Sequence, residues 1–441
     1  ALASPSYEHR YFVDGQQVES DVYVAGAWRN VLVGSAGAGA RAIYALNVTN
    51  ASTMNASSVM WEFDSTVNPE LGYVMQPIEV GLMANGTWAA VFGNGPDSAS
   101  GHARLFVVNI ATGQVIADIQ AGTSINNGLG GVRVIRNANQ VIVGAYAGDL
   151  QGNVWKFDLA SDSASGWRVA FSGNPLFTAR DDSNNPRPIT APPTYLPHPN
   201  GGVMVMVGTG KLYEEGDQTN NQSQALYGLW DQQALSIDAD GNMSWATATR
   251  ITDASSIVEQ SFSETTVAGA GGATFYTVTS QPLNWQTHRG WELPLSLAPG
   301  HRNLIVPQVV GGFIRFETMA PSDTGIVNPC DDTSGGVGYN IILNPLSGSM
   351  PTQALYDVNG DGVINSSDTV VAGVRTNWDG RDVILREPPC VGAGCRNDPT
   401  PCPAGTIRFV TAGASGGGTT NVCVPVPPSQ RWWWRQLFQQ P

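Results

Sequence analysis

Ile43-Tyr44-Ala45-Leu46-Asn47, Leu105-Phe106-Val107-Val108-Asn109 and Val154-Trp155-Lys156-Phe157-Asp158 are three copies of one pattern. Each reads apolar, aromatic, any residue, apolar, Asn or Asp, and each is preceded by glycines. Leu226-Tyr227-Gly228-Leu229, with Trp230 before Asp231, is a weaker copy. Around Asn344 only the tail survives, where Asn344-Pro345-Leu346-Ser347-Gly348 echoes Asn109-Ile110-Ala111-Thr112-Gly113. The aromatic positions 44, 106, 155 and 227 lie 62, 49 and 72 residues apart. A repeat near ~40–50 residues is the signature of propeller blades, and longer spacings are expected where blades carry long loops. Strand alternation places Tyr44 and Leu46 on one face and Ala45 and Asn47 on the other. Stacked four-stranded blades bury both faces, which suits such apolar strands. The pattern therefore predicts an all-β propeller, with a β-sandwich pair as the structural rival.

Composition agrees. Helical periodicity is nearly absent, and short apolar runs such as Val22–Val24, Val31–Val33, Ala89–Phe92, Val141–Val143 and Val203–Val207 are followed by glycines. Only 13% of the 441 residues are charged, whereas Gly (51) and Pro (28) are abundant, a mixture that favours short strands and tight turns. The net charge of -14 argues against nucleic acid or an anionic membrane, because phosphate binding relies on Lys and Arg. Cations, basic protein partners and glycans suit it better. No apolar run approaches the ~18–20 residues of a membrane helix. The start at Ala1 shows no basic or apolar leader, so the chain reads as a mature or excised fragment with any export signal upstream.

The five cysteines, Cys330, Cys390, Cys395, Cys402 and Cys423, all fall in the last quarter, and none forms a CxxC pair. Disulfides in an oxidising compartment explain them better than cytosolic chemistry, with reduced structural thiols as the alternative. Cys390–Cys395 and Cys402–Cys423 are the expected pairs, with Cys330 unassigned. The propeller body is expected over 1–386. A Cys/Gly/Pro-rich extension over 387–441 ends in the basic-aromatic tail Arg431–Arg435, which could bind a partner or pack back on the body.

One motif carries sharp chemistry. Asp357-Val358-Asn359-Gly360-Asp361-Gly362-Val363-Ile364-Asn365-Ser366-Ser367-Asp368 matches an EF-hand-type calcium loop in register. Asp357, Asn359 and Asp361 stand at positions 1, 3 and 5, and Gly362 at the sharp turn of position 6. Val363 would offer its carbonyl at position 7, Asn365 would act through water at 9, and Asp368 closes at 12. The aliphatic Ile364 fits position 8. Calcium takes six to eight oxygen ligands in flexible geometry, which suits this run better than the strict octahedron of magnesium. Asp in place of Glu at position 12 resembles dockerin loops, but the loop occurs once and a dockerin needs two. The competing reading is an Asp/Asn/Gly-rich surface turn.

Other signals are discounted. Gly413-Ala414-Ser415-Gly416-Gly417 matches G-x-S-x-G but lies in low-complexity sequence without a nearby His base. The five histidines, His9, His102, His198, His288 and His301, lack ligand spacing. Asp181-Asp182, Asp331-Asp332 and Asp238–Asn242 read as ordinary turns. No catalytic constellation emerges, so an enzyme is not expected.

Several stretches, in order, resemble the propeller of the PilC/PilY family of type IV pilus proteins. They are His9–Gly15, Asp21–Thr49, Trp88–Gly95, Tyr146–Leu159, Ile189–Tyr213, Gly290–Leu297, Pro307–Pro321 and Asp357–Asp368. The resemblance implies a modified seven-bladed β-propeller with long loop insertions. It further implies a secreted, calcium-binding factor at the pilus tip or outer cell surface, reached through the periplasm. Such a factor primes pilus assembly with minor pilins, counters retraction and mediates adhesion to a host or surface receptor. Many relatives carry an acidic D-x-D-x-D-G loop before the segment matching Tyr146–Asn153. This chain has Val132–Asn139 there, without a carboxylate, so that regulatory site is expected to be absent. The rival function is a quinoprotein-like propeller oxidoreductase. Against it stand the missing adjacent Cys pair and a calcium ligand set drawn from one contiguous loop.

Overall fold

A computed structural model describes residues 11–239, 241–263, 266–321, 336–377, 383–386, 406–412 and 419–425. Short strands dominate it, and among the described residues no helix is long and apolar enough to cross a membrane. The chain divides into two compact units, Ala1–Lys211 with Trp230–Ala254, and Leu212–Leu229 with Ser255–Pro441.

The first unit opens with two four-stranded antiparallel meanders. Gln17–Val24, Ala27–Ser35, Ala42–Asn47 and Val59–Asp64 form one; Glu79–Leu82, Trp88–Gly93, Arg104–Asn109 and Val115–Gln120 form the next. A third sheet runs Leu129–Arg136, Ile142–Asp149, Asn153–Asp158 and Arg168–Val169, with Phe177–Thr178 also paired to Asn153–Asp158. The repeat pattern occupies the third strand of each. Leu105 to Val108 and Val154 to Phe157 are buried on both faces, whereas Tyr44 and Leu46 of the first copy are half-buried. Phe106 stacks on Phe92 at 5.6 Å and meets Phe63 edge-on at 5.8 Å, so the aromatic position links neighbouring sheets through one core.

The Asn or Asp that ends each copy shares one structural task with the others. Its side-chain oxygen accepts the N–H two residues on: Asn47 from Thr49, Asn109 from Ala111, Asp158 from Ala160, Asp231 from Gln233 and Asn344 from Leu346, at 2.9–3.2 Å. This Asx turn satisfies a backbone donor where the strand ladder stops. The turns that follow Asn109 and Asn344 are also bracketed by tryptophan. Trp61 Nε1 donates to the Ile110 carbonyl at 2.8 Å and Trp291 Nε1 to the Pro345 carbonyl at 2.9 Å. Gly113 (φ 71°) and Gly348 (φ 66°) turn tightly against those rings, where an added Cβ would lie within 3 Å of the indole.

The segment Val132–Asn139 belongs to the strand Leu129–Arg136 and the tight turn after it. Val132, Val134 and Ile135 are buried, and Arg133 and Arg136 pair with Glu79 at 3.1 and 3.4 Å.

In the second unit, Ala225–Leu229 of the strand Ala225–Asp231 pairs antiparallel with Gly290–Pro294, which Ile257–Glu259 flanks in parallel. A larger sheet runs Val267–Ala268, Thr274–Tyr276, Gly373–Asn377, Val337–Leu343, Phe313–Ala320 and Arg302–Asn303, with Gln308–Val310 also paired to Phe313–Ala320. Val383–Arg386, Thr406–Ala412 and Thr419–Pro425 form a three-stranded sheet. The regular four-stranded unit therefore gives way to larger and smaller sheets among the described residues.

Candidate metal-binding loop

The loop Asp357–Asp368 lies in the second unit between two core anchors. Leu355, Tyr356 and Val358 before it, and Val371 and Val374 after it, are buried together with Phe275, Ile342, Val422 and Val424. Tyr356 meets Phe275 edge-on at 5.7 Å, and burial pushes its phenol well above the usual range. The Val358 carbonyl accepts Ala270 N–H at 3.0 Å, and the Leu355 carbonyl accepts Cys423 N–H at 3.1 Å.

Within these anchors, carboxylates and amides shape the backbone. Asp357 accepts Gly360 N–H at 2.7 Å on one oxygen and Gly362 N–H at 2.9 Å on the other. Asn359 Oδ1 accepts Asp361 N–H at 2.9 Å, and Asp361 Oδ1 accepts Val363 N–H at 2.8 Å. Asp368 is buried and spans the loop, accepting from Val358 N–H at 2.8 Å and Asn365 N–H at 2.9 Å. Gly360 and Gly362 sit at φ 75° and 85°, where a side chain would be strained. Ile364 is buried, as position 8 requires, whereas Asn359, Asp361, Val363 and Asn365 are exposed. The structure thus brings Asp357, Asn359, Asp361, Val363, Asn365 and Asp368 into one closed turn. No group of three His, Cys, Asp or Glu stands ready to hold a metal among the described residues. The donors are all oxygen and the backbone already turns at Gly362, so the residues fit calcium. The carboxylates presently spend their lone pairs on backbone amides.

His102 bonds the Ser124 carbonyl, His198 stacks on Trp230 at 4.2 Å, His288 accepts Asn284 N–H, and His301 lies buried against Thr318 and Tyr339. Asp181 accepts Ser183 and Asn185 N–H, and Asp238 accepts Asn242, as turn carboxylates do. Cys423 is disulfide-bonded. Cys330, Cys390, Cys395, Cys402, His9, Asp331-Asp332, Gly413–Gly417 and the tail Arg431–Arg435 lie outside the described residues.

One group escaped the sequence reading. Lys156 Nζ is fully buried, 2.7 Å from Asp231 Oδ2 and 3.7 Å from the centre of the Trp245 ring; the Tyr146 hydroxyl donates to the same carboxylate oxygen. Burial pushes the Lys156 ammonium down against the opposing pull of Asp231, and pushes the Tyr146 phenol up, with Asp231 adding to that rise. Lys156 occupies the pattern position that is Ala45, Val107 and Gly228 elsewhere. A charge where other copies are apolar or empty is the signal that would have found it.

Residues 2–266, more than half of the chain, match the family described as PilY1 beta-propeller domain. The chain is 35% identical over 379 residues to a type IV pilus biogenesis factor PilY1 homolog of Xylella fastidiosa, covering 81% of this chain and 24% of that protein. It is 32% identical over 411 residues to the type IV pilus biogenesis factor PilY1 of Pseudomonas aeruginosa, covering 83% and 34%. It therefore spans about a quarter to a third of the length of these curated relatives. The crystal structure of the Pseudomonas aeruginosa PilY1 C-terminal domain is similar with a TM-score of 0.75 at 27% identity, over 93% of this chain and 83% of that one. These relatives are named for pilus biogenesis, not for an enzymatic activity. The all-β propeller expectation is borne out, and the chain belongs to the PilY1 β-propeller domain family.

Proposed function

We propose that this chain is the calcium-binding propeller part of a type IV pilus biogenesis factor that acts by protein–protein binding at the pilus tip or outer cell surface. The observation that carries the pilus role is the family match together with the PilY1 relatives. Its partners on this reading are minor pilins, the pilus itself and a host or surface receptor, and its effect is to promote assembly and oppose retraction. On this reading residues 1–386 are the propeller and 387–441 an extension, whose buried Val422 and Val424 pack in the same core as Leu355 and Val358.

Calcium would be held by Asp357, Asn359, Asp361, the Val363 carbonyl, Asn365 and Asp368. When bound, the ion would supply the positive charge that offsets the repulsion among Asp357, Asp361 and Asp368. The chain's own part is to fix the turn at Gly360 and Gly362 and to seat Ile364 and Asp368 in the interior. Because Leu355 and Val358 tie the loop to the core, occupancy should register as stability of the second unit.

A thermal melt of the chain, chelated and with added calcium, alongside Asp357→Ala, tests this reading. The expected result is a calcium-dependent rise in midpoint that vanishes in the variant. Identical midpoints in every sample would remove calcium from the proposal. For the pilus role, deletion of 1–386 from the full-length protein should lower surface pili in cells able to retract them. Recovery of pili when retraction is disabled supports an anti-retraction role; unchanged pili in retracting cells would count against it.

A further inference from the structure

A cleft of about 640 Å³ opens beside the strand Asn153–Asp158, wholly within the first unit. One wall is the turn Ala170–Gly173, in which Phe171, Ser172 and Gly173 follow one another at φ 49°, 58° and 82°. L-residues avoid this left-handed region, and consecutive examples persist only where the surroundings over-determine them, as binding sites do. The other wall is the stretch 245–252, beginning at Trp245.

The observation that points to a ligand is Gln233. It lines the cleft, only 8% exposed, and its Oε1 is buried with no hydrogen-bond partner among the described residues. A buried acceptor left unpaired is costly, so a donor belongs there. Gln233 is held in place, because its N–H donates to Asp231 Oδ1 at 2.9 Å and Asp231 is pinned by Lys156 and Tyr146. The same buried ion pair braces the aromatic wall. Lys156 Nζ covers one face of the Trp245 ring, and Trp245 Nε1 donates to the Val143 carbonyl at 3.1 Å.

The charge of the lining selects further. Asp158 is neutralised by Arg168 at 2.7 Å, and Lys156 by Asp231. Arg250 is exposed and has no carboxylate partner among the described residues, leaving the cleft cationic in a chain of net charge -14. We propose that this cleft binds an acidic saccharide. A sugar hydroxyl donates to Gln233 Oε1, the sugar carboxylate pairs with Arg250, and the apolar ring face packs on the fixed Trp245. Concavity and size favour a small ligand of this kind over a protein surface, which needs roughly 800 Å² per partner.

Isothermal titration of the chain with digalacturonate and with its neutral counterpart galactobiose, at low salt, tests the assignment. Digalacturonate is expected to bind at least ~10-fold more tightly, and the gap should shrink as salt screens Arg250. Arg250→Gln, at an exposed position that should leave folding intact, is expected to bring digalacturonate down to the neutral level. Gln233→Leu should weaken both sugars, with its melt compared to the parent chain. Absence of saturable binding by the parent chain would overturn the proposal. So would equal affinity for the two sugars, or an Arg250→Gln variant that binds digalacturonate unchanged. Saturable binding of an acidic tetrapeptide where neither sugar binds would also overturn it, in favour of a peptide ligand.

Discussion

The turn Asn344–Gly348 and the loop Asp357–Asp368 solve the same backbone problem with opposite electrostatics. In the turn, a neutral carboxamide accepts Leu346 N–H at 2.9 Å, the Asn344 carbonyl accepts Gly348 N–H at 2.8 Å, and Trp291 and Gln260 cap the Pro345 and Ser347 carbonyls. Every one of these partners is uncharged. In the loop, three carboxylates accept comparable backbone N–H groups at 2.7–2.9 Å. Shape alone does not require the acids, since amides close the turn a few residues upstream. The surplus negative charge is therefore the feature that separates the two regions, and the proposed hard cation would offset it.

The largest effect should come from removing the neutral turn's cap. Trp291 is fully buried, fills the space over Gly228 and Gly348, and donates to the Pro345 carbonyl. Trp291→Ala is expected to cost ~3–5 kcal/mol in denaturant unfolding, with or without calcium. A calcium-dependent cost would mean the two regions are not electrostatically distinct. Acid should act next, through His301. Its ring is buried against Thr318 and Tyr339, and burial holds it down to about 3 from its usual 6.5. Between those values the unfolded chain takes up the proton and the folded chain does not. Stability is therefore full above about pH 6.5 and falls as pH drops. At about 1.4 kcal/mol per unit, acidification to about pH 4 should remove ~3 kcal/mol. His301→Gln should flatten that slope; an unchanged slope would place the acid lability elsewhere.

The blade pattern was readable because Asn47, Asn109, Asp158, Asp231 and Asn344 all do one local job that leaves a fixed residue type behind. The loop was readable for the same reason, since Gly362, Ile364 and Asp368 each meet a contiguous demand. What could not be read was pairing across long separations. Lys156 and Asp231 belong to different copies of the pattern, and neither position announces the other. The left-handed turn at Phe171 and Ser172 was equally silent, because neither residue type favours that conformation. The sheet sizes of the second unit were unreadable too, because segments such as Ile257–Glu259 join a sheet by parallel pairing that no alternation pattern reveals.

The proposed calcium site should give the next effect in size. At a free concentration ~100-fold above the dissociation constant, binding to the folded state alone adds about 2.7 kcal/mol. Asp361→Asn is expected to keep the chelated stability near that of the parent chain while losing most of this increment, because an amide oxygen can still accept Val363 N–H. If chelated Asp361→Asn instead unfolds at much lower denaturant, the carboxylate is a structural cap and the loop differs little from the neutral turn.

The smallest effect sharpens the comparison from the other side. Asn344→Ala deletes one half-buried acceptor and should cost ~1 kcal/mol, the net worth of an ordinary hydrogen bond. Asn344→Asp keeps an acceptor for Leu346 N–H and adds a charge of the kind the loop carries. It should cost less than Asn344→Ala and confer no response to calcium, because a lone carboxylate there lacks the oxygen ligands that Asp357, Asn359, Asp361 and Asp368 place in register. Denaturant midpoints of both variants, chelated and with calcium, separate the possibilities. A calcium response newly gained at Asn344→Asp would show that charge near a turn suffices without ligands in loop register.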